Sequence, residues 1–158
     1  MTRFDKNLIF EEMLKKLQEN LSVLIDAAFE AKEASTNEES KAENKYDTRG
    51  LEASYLASGQ AKRAQKLQEE IFNLQKVDLK DFHGDDKVGV GALVELEING
   101  AQKKHLFLLP VGGVEVKVDQ TLWQSINIQS PLGQNILNQS LGFDFVLNGN
   151  EYEILEIY

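Results

Sequence analysis

Cysteine is absent from the 158 residues. Neither a disulfide framework nor a thiolate metal site is therefore open to this chain, which fits a reducing compartment. Cationic charge is scarce: 17 Lys and Arg stand against 26 Asp and Glu, a formal charge of -9. Neutralising a phosphate backbone needs a surplus of cations, so direct nucleic-acid binding is not expected. No stretch approaches the roughly 18 to 20 apolar residues of a transmembrane helix, and Met1-Thr2-Arg3-Phe4-Asp5 leads straight into amphipathic sequence without the apolar core of a signal peptide. A soluble, cytoplasmic protein with no membrane partner is the expectation. The hydrophobic content of 42% suffices for a packed core in one ordinary domain or two small ones.

Glycine and proline are missing from residues 1–49. A helix begins near the start, where Thr2 or Asp5 can cap it. Its apolar positions Met13/Leu14, Leu17, Leu21, Leu24/Ile25 and Ala28 recur in steps of three and four, a narrow coiled-coil seam. Glu11, Glu12, Lys15, Lys16, Glu19, Asn20 and Lys32 fill the solvated remainder. Beyond Ala34 the period fails through Ser35, Thr36, Asn37, Glu38, Glu39 and Ser40, whose side chains compete for backbone hydrogen bonds. A second periodic run follows through Leu51, Tyr55/Leu56, Gln60, Ala64, Leu67, Ile71 and Leu74. Each arm of about thirty residues spans roughly 45 Å, and two matched seams joined by a short polar turn pair antiparallel. Gly50 and Gly59 either allow close helix approach or, for Gly50, mark where helical order begins.

From about Val77 the period changes from helical to strand-like. Residues 78–87, with Gly84-Asp85-Asp86, read as a linker. Residues 88–98 read as a strand ending in the Asn99-Gly100 hairpin signal. A return strand over 104–110, a Gly112-Gly113 turn and a third strand over 114–118 follow. Ser130-Pro131-Leu132-Gly133 supplies an N-cap with proline at the first helical position, opening a short helix with Leu132, Ile136 and Leu137 turned inward and Gly142 closing it. Residues 143–147, the Asn148-Gly149 turn and residues 152–157 form a final hairpin. The fold class is therefore α+β: an N-terminal antiparallel helical hairpin over 1–77, with its tip near 36–49, then a small sheet domain with one short helix over 78–158.

The charged turn Glu38-Glu39-Ser40-Lys41-Ala42-Glu43-Asn44-Lys45-Tyr46-Asp47-Thr48-Arg49 is the stretch around which the chain is organised. In helical geometry Glu39, Glu43 and Asp47 share one stripe, with Lys41, Lys45 and Arg49 on the other side. A mixed stripe of this kind is also what a solvated face looks like. Gly89-Val90-Gly91 is a fragment of a phosphate-loop pattern, but a strand follows it instead of a helix. His83 and His105 stand alone and read as surface or edge residues, not zinc ligands. Trp123, Phe107, Phe143 and Phe145 suit the core of a small sheet domain.

The long hairpin, the Ser130-Pro131-Leu132-Gly133 and Ile136-Leu137 pair, the later glycine and the closing Tyr152-Glu153-Ile154-Leu155-Glu156-Ile157-Tyr158 occur in an order that resembles the Gre-type transcript cleavage factors (GreA/GreB). Glu43-Asn44, with Tyr46 just after, resembles the acidic tip of that family. The resemblance implies an FKBP-like C-terminal domain docking at the rim of the bacterial RNA polymerase secondary channel, and a coiled coil passing down the channel to the catalytic centre. It implies a protein that is not itself an enzyme, and the two prolines and clean hairpin make a monomer the expectation. Its tip completes the polymerase active site, meets the nascent RNA 3′ end only there, and shares a Mg²⁺ ion with it. Mg²⁺ is usually held by one or two carboxylates with several waters retained, and a second metal can activate a water for attack on a phosphodiester. Glu43 is the expected catalytic and metal-holding carboxylate, with Asp47 or Glu39 as its partner. Those factors carry an aspartate three residues before the glutamate, where this chain has Ser40. Their acidic docking turn is altered as well, Gly112-Gly113-Val114-Glu115 offering only Glu115. Three functions are therefore weighed: a cleavage-stimulating elongation factor, a non-cleaving regulator or inhibitor in the same channel, and an isomerase or chaperone acting through the sheet domain alone.

Overall fold

The computed structural model describes residues 4–36 and 49–158, with side chains for 4–34 and 59–158. It divides into two compact units, one of Met1–Lys15 with Phe72–Tyr158 and one of Lys16–Ile71.

Two helices run through the N-terminal half, α1 (Lys6–Thr36) and α2 (Arg49–Leu74). Asp5 caps α1, its Oδ1 accepting the Leu8 N–H at 3.0 Å. The shielded positions of α1 include Ile9, Met13, Leu17, Leu21, Leu24, Ala28 and Ala31, with Phe10, Leu14 and Ala27 beside them, while Ile25 is exposed. Among the described side chains of α2, Gln60, Ala64, Leu67, Ile71 and Leu74 form a shielded stripe in alternating steps of four and three, with Glu70 beside it. The apolar period thus places the α1 stripe, and the α2 stripe from Gln60 onward, as expected; Leu51, Tyr55 and Leu56 lie outside the described side chains. At Gly59 nothing among the described residues lies within 4 Å of an added Cβ.

The sheet domain contains β1 (Leu93–Ile98), β2 (Gln102–Leu109), β3 (Glu115–Val118), β4 (Thr121–Asn127), α3 (Pro131–Ile136), β5 (Asp144–Leu147) and β6 (Asn150–Ile157). One six-stranded sheet runs in the order β3-β4-β2-β1-β6-β5. β2 and β4 are parallel and the other pairs antiparallel. Because side chains alternate between faces, Val94, Leu96, Leu106, Leu108 and Ile154 share one face and pack with Ile136 of α3. Leu93, Phe107 and Trp123 are buried on the other face, where the Phe10 ring meets Phe107 at 6.2 Å and the Phe4 ring meets Trp123 at 4.9 Å. The first turns of α1 therefore belong to the core of the sheet domain. Burying rings of this size contributes roughly 1.5–3 kcal/mol each.

Three expectations need correction. Residues 88–92 are not strand. Gly91 has φ 90°, and an added Cβ there would lie 2.6 Å from the Asp78 carbonyl oxygen. Val88 instead bonds to the far side of α3, donating to Gln139 O and accepting from the Asn138 N–H. A strand absent from the sequence reading, β4, fills the sheet interior; it went unread because the Asp119-Gln120 turn before it has no glycine to signal it, although both residues have positive φ, 49° and 68°. His105 is not an edge residue, for β2 is central. Its ring packs 5.1 Å from Trp123 and 5.9 Å from Phe4, with Nε2 3.8 Å from Glu95 Oε2. Residues 78–87 have no regular structure, yet Phe82 within them is buried.

Candidate functional site

Glu39, Glu43 and Asp47, with Ser40, fall among residues 37–48 and lie outside the described residues. What is described is their placement in the chain, between the last residue of α1, Thr36, and the first of α2, Arg49. Both bounding helices are long, 31 and 26 residues. The passage between them, the tip of the expected hairpin, is likewise outside the described residues.

Of the other residues that carry the sequence resemblance, Ser130 and Gly133 meet at Asn127, at the end of β4. Ser130 takes the extended N-cap conformation, φ -69° and ψ 158°, and its Oγ accepts the Gly133 N–H at 3.1 Å. The same hydroxyl donates to the Asn127 carbonyl at 2.7 Å. Pro131 sits at the first helical position, where its missing N–H costs nothing. Gly133 is buried with its Cα against the Asn127 carbonyl oxygen, so closely that any Cβ would collide with it. Asn127 Oδ1 accepts from the Gln129 N–H at 2.9 Å, and its Nδ2 donates to Pro110 O at 3.4 Å. From the other side Gly112 packs against Asn127, whose amide nitrogen would lie 3.1 Å from an added Cβ.

The Gly112-Gly113-Val114-Glu115 stretch is fixed to β4 by Ser125. The Val114 N–H donates to Ser125 Oγ at 3.0 Å, the Gly113 N–H to Ser125 O at 3.0 Å, and the Ser125 N–H to Val114 O at 2.8 Å. The loop is thereby rigid, and Glu115 opens β3 as an exposed residue. The Ser125 and Ser130 hydroxyls are engaged in holding this shape. Sequence reasoning missed Asn127 and Ser125. The only local signal was an Asn three residues before an N-cap Ser.

A buried lysine ties the start of α1 to this domain. Lys6 Nζ donates to Lys80 O and to Tyr158 O, each at 2.8 Å, and stands 4.9 Å from the Phe82 ring centre. Desolvation lowers its pKa from 10.5 to about 8, against the opposing pull of Asp81. A second buried charge, Glu95, is met by Lys103 Nζ at 3.2 Å from Oε1. The aromatic residues divide between the two faces of the sheet: Trp123 and Phe107 lie under α1, whereas Phe143, Phe145 and Tyr152 stack on one another at 5.8 and 5.1 Å on the α3 side. They pack two cores and do not line one pocket. Among the described residues no group of three His, Cys, Asp or Glu is placed to hold a metal ion, and no helix is long and apolar enough to cross a membrane.

No protein-family model matches the chain, and no curated protein matches it. Among solved structures it is similar to GreA factor homolog 1 (Gfh1) of Thermus thermophilus, at 19% identity over 92% of this chain and 94% of that one, with a TM-score of 0.37. It is similar to Thermus aquaticus Gfh1 at 21% identity over 94% and 93%, with a TM-score of 0.37. A further structure of the transcription factor Gfh1 gives 18% identity over 94% and 92%, with a TM-score of 0.38. Likeness of this degree leaves function to be argued from the chain's own residues.

Proposed function

We propose that this chain is a transcription elongation factor that binds bacterial RNA polymerase at the secondary channel and stimulates cleavage of backtracked RNA. The observation that carries the reading is the position of the acidic segment. Glu39, Glu43 and Asp47 fall between helices of 31 and 26 residues, each with a narrow shielded stripe, and the chain then enters a sheet domain carrying the Ser130-Pro131-Leu132-Gly133 cap. Paired antiparallel along those stripes, the helices form a coiled-coil arm of about 45 Å with the carboxylates at its end. In this reading the sheet domain, FKBP-like in kind, is the docking module.

The chain's own part in the chemistry is to hold carboxylate oxygens in place. Glu43, with Asp47 or Glu39, would bind a Mg²⁺ ion shared with the polymerase; such an ion, when bound, activates water for in-line attack on a phosphodiester. The protein is not an enzyme alone, acts as a monomer in the cytoplasm, and meets the RNA 3′ end only within the polymerase. The test is RNA release from a stalled, backtracked elongation complex with Mg²⁺. Accelerated release of short 3′ RNA, lost in Glu43→Ala and in Asp47→Ala or Glu39→Ala while polymerase binding persists, supports the proposal.

Ser40 favours a second reading. It stands where the resembled family has aspartate, and a hydroxyl is a poorer Mg²⁺ ligand than a carboxylate. A factor that occupies the channel without stimulating cleavage, a regulator or inhibitor, follows if the protein binds polymerase and RNA release is not accelerated.

A further inference from the structure

β5 is one of the two sheet edges, with β6 as its sheet neighbour. Its two-residue connection to β6, Asn148-Gly149, with φ values of 51° and 80°, closes on the pair Leu147 and Asn150. Such a hairpin closes on a hydrogen-bonded pair, and bonded pairs alternate along the ladder. Phe145 therefore spends its main-chain groups on Tyr152, whereas Asp144 and Val146 direct theirs outward from the sheet.

The side chains of those two residues share one face, and that face is unusual. Glu97 of β1 lies opposite Glu153 of β6, and Glu153 lies opposite Asp144 of β5. Three carboxylates thus stand in one row across three strands. Like charges placed directly opposite repel. The cation at the inner end of the row, Lys103 opposite Glu97, has its Nζ 3.2 Å from Glu95 instead. In the next row Val146, 66% exposed, lies opposite Glu151. Glu97, Asp144, Val146, Glu151 and Glu153 line a groove of about 460 Å³, and no lysine or arginine is among its described lining residues.

Outward main-chain groups, an exposed apolar side chain and the outer end of an unbalanced row of carboxylates meet at Asp144 and Val146 of this edge, and each specifies a different part of one occupant. We propose that the β5 edge is a docking site for an extended segment of a partner protein. The segment adds as a seventh strand, carrying Lys or Arg opposite Asp144 and an apolar residue two positions away opposite Val146. A strand added there lies about 4.8 Å from β5. The cation extends the row by one position, and its stem reaches back over Asp144 toward Glu153. Strand addition supplies affinity through the main chain, and alternate side chains supply the choice of sequence. The inference is independent of the polymerase reading, which concerns the helical arm.

The test uses the full-length ¹⁵N-labelled protein titrated with the peptide acetyl-Thr-Lys-Thr-Val-Thr-Lys-Thr-amide, whose Lys-x-Val-x-Lys face fits the edge in either strand direction. The control is the same peptide with Glu in place of Lys. Saturable binding is expected at least tenfold tighter for the Lys peptide, weakening as salt rises, with slowed hydrogen exchange at the amides of Asp144 and Val146. Asp144→Lys and Glu153→Lys each abolish the preference while the remaining amide spectrum is unchanged. Equal binding of both peptides, or binding that leaves the Asp144 and Val146 amides unprotected, overturns the proposal. So does a protein that ignores both peptides but aggregates when Asp144 is made neutral, because the carboxylates then serve only to guard an edge.

Discussion

Asn99 and Glu151 are joined by two hydrogen bonds at the tips of two different hairpins, and a third ties Asn99 to the neighbouring Asn150. The Asn99 N–H donates to Glu151 O at 2.8 Å, the Glu151 N–H donates to Asn99 Oδ1 at 2.9 Å, and Asn99 Nδ2 reaches Asn150 Oδ1, also at 2.9 Å. Asn99 also holds φ 54°, a conformation that asparagine tolerates better than other side chains. The residue read in the sequence as half of a turn signal is thus also the clasp between the β1-β2 and β5-β6 hairpins.

Replacing that residue separates the two roles. Asn99→Gly keeps the turn conformation and loses only the side-chain bonds, a cost of about 1–2 kcal/mol. Asn99→Ala loses the bonds and adds about 1 kcal/mol for the left-handed backbone. Urea unfolding of the three proteins is expected to rank wild type above Asn99→Gly above Asn99→Ala.

Two glycine-to-alanine changes are expected to act in opposite directions. Gly133→Ala drives a methyl into the Asn127 carbonyl and destabilises by about 1–3 kcal/mol or more, shifting the thermal midpoint down. Gly59→Ala, within α2, meets no described residue within 4 Å and stabilises that helix by roughly 0.5–1 kcal/mol, visible as a higher helical signal by circular dichroism. An unchanged or lower helical signal for Gly59→Ala would mean that this glycine has a contact role.

The turn that hid β4 is strained. Asp119 and Gln120 both have positive φ, and each non-glycine residue there costs about 1 kcal/mol. Gln120→Gly is expected to stabilise the protein by a comparable amount, raising the urea midpoint with an unchanged slope.

Lys6 makes stability depend on alkaline pH. In the unfolded chain its ammonium keeps the proton to about 10.5, and in the folded protein releases it near 8. Between those values the unfolded state binds more protons, so the Lys6 contribution rises with pH, by at most about 1.4 kcal/mol per unit. It is complete above the unfolded value and lost as pH falls through the folded one. The neutral amine still has two N–H groups for the Lys80 and Tyr158 carbonyls. Urea unfolding at about pH 7, 9 and 10 should show wild type gaining on Lys6→Met as pH rises. A constant difference would show that Lys6 does not titrate in that interval.

Features that depend on neighbours along the chain are legible without the fold. A stripe at Leu17, Leu21, Leu24 and Ala28 can be satisfied only by a helix with one shielded side, and Asn99-Gly100 and Asn148-Gly149 supply the positive φ values that reverse a strand within two or three residues. Ser130 and Pro131 likewise declared a helix start. Those signals gave α1, α2, α3 and most of the sheet. Val88-Gly89-Val90-Gly91 misled because alternating apolar residues look like a strand, while the decisive fact, Asp78 O against Gly91, comes from thirteen residues away. Phe4 and Phe10 carry no mark that they belong under Trp123 and Phe107, or that the sheet has a second buried face. Nor does Asn127 announce that Gly112 and Gly133 both close against it. Periodicity encodes which side of an element is buried. Only the tertiary structure decides what buries it, because that choice depends on the shape and polarity of residues brought together from distant parts of the chain.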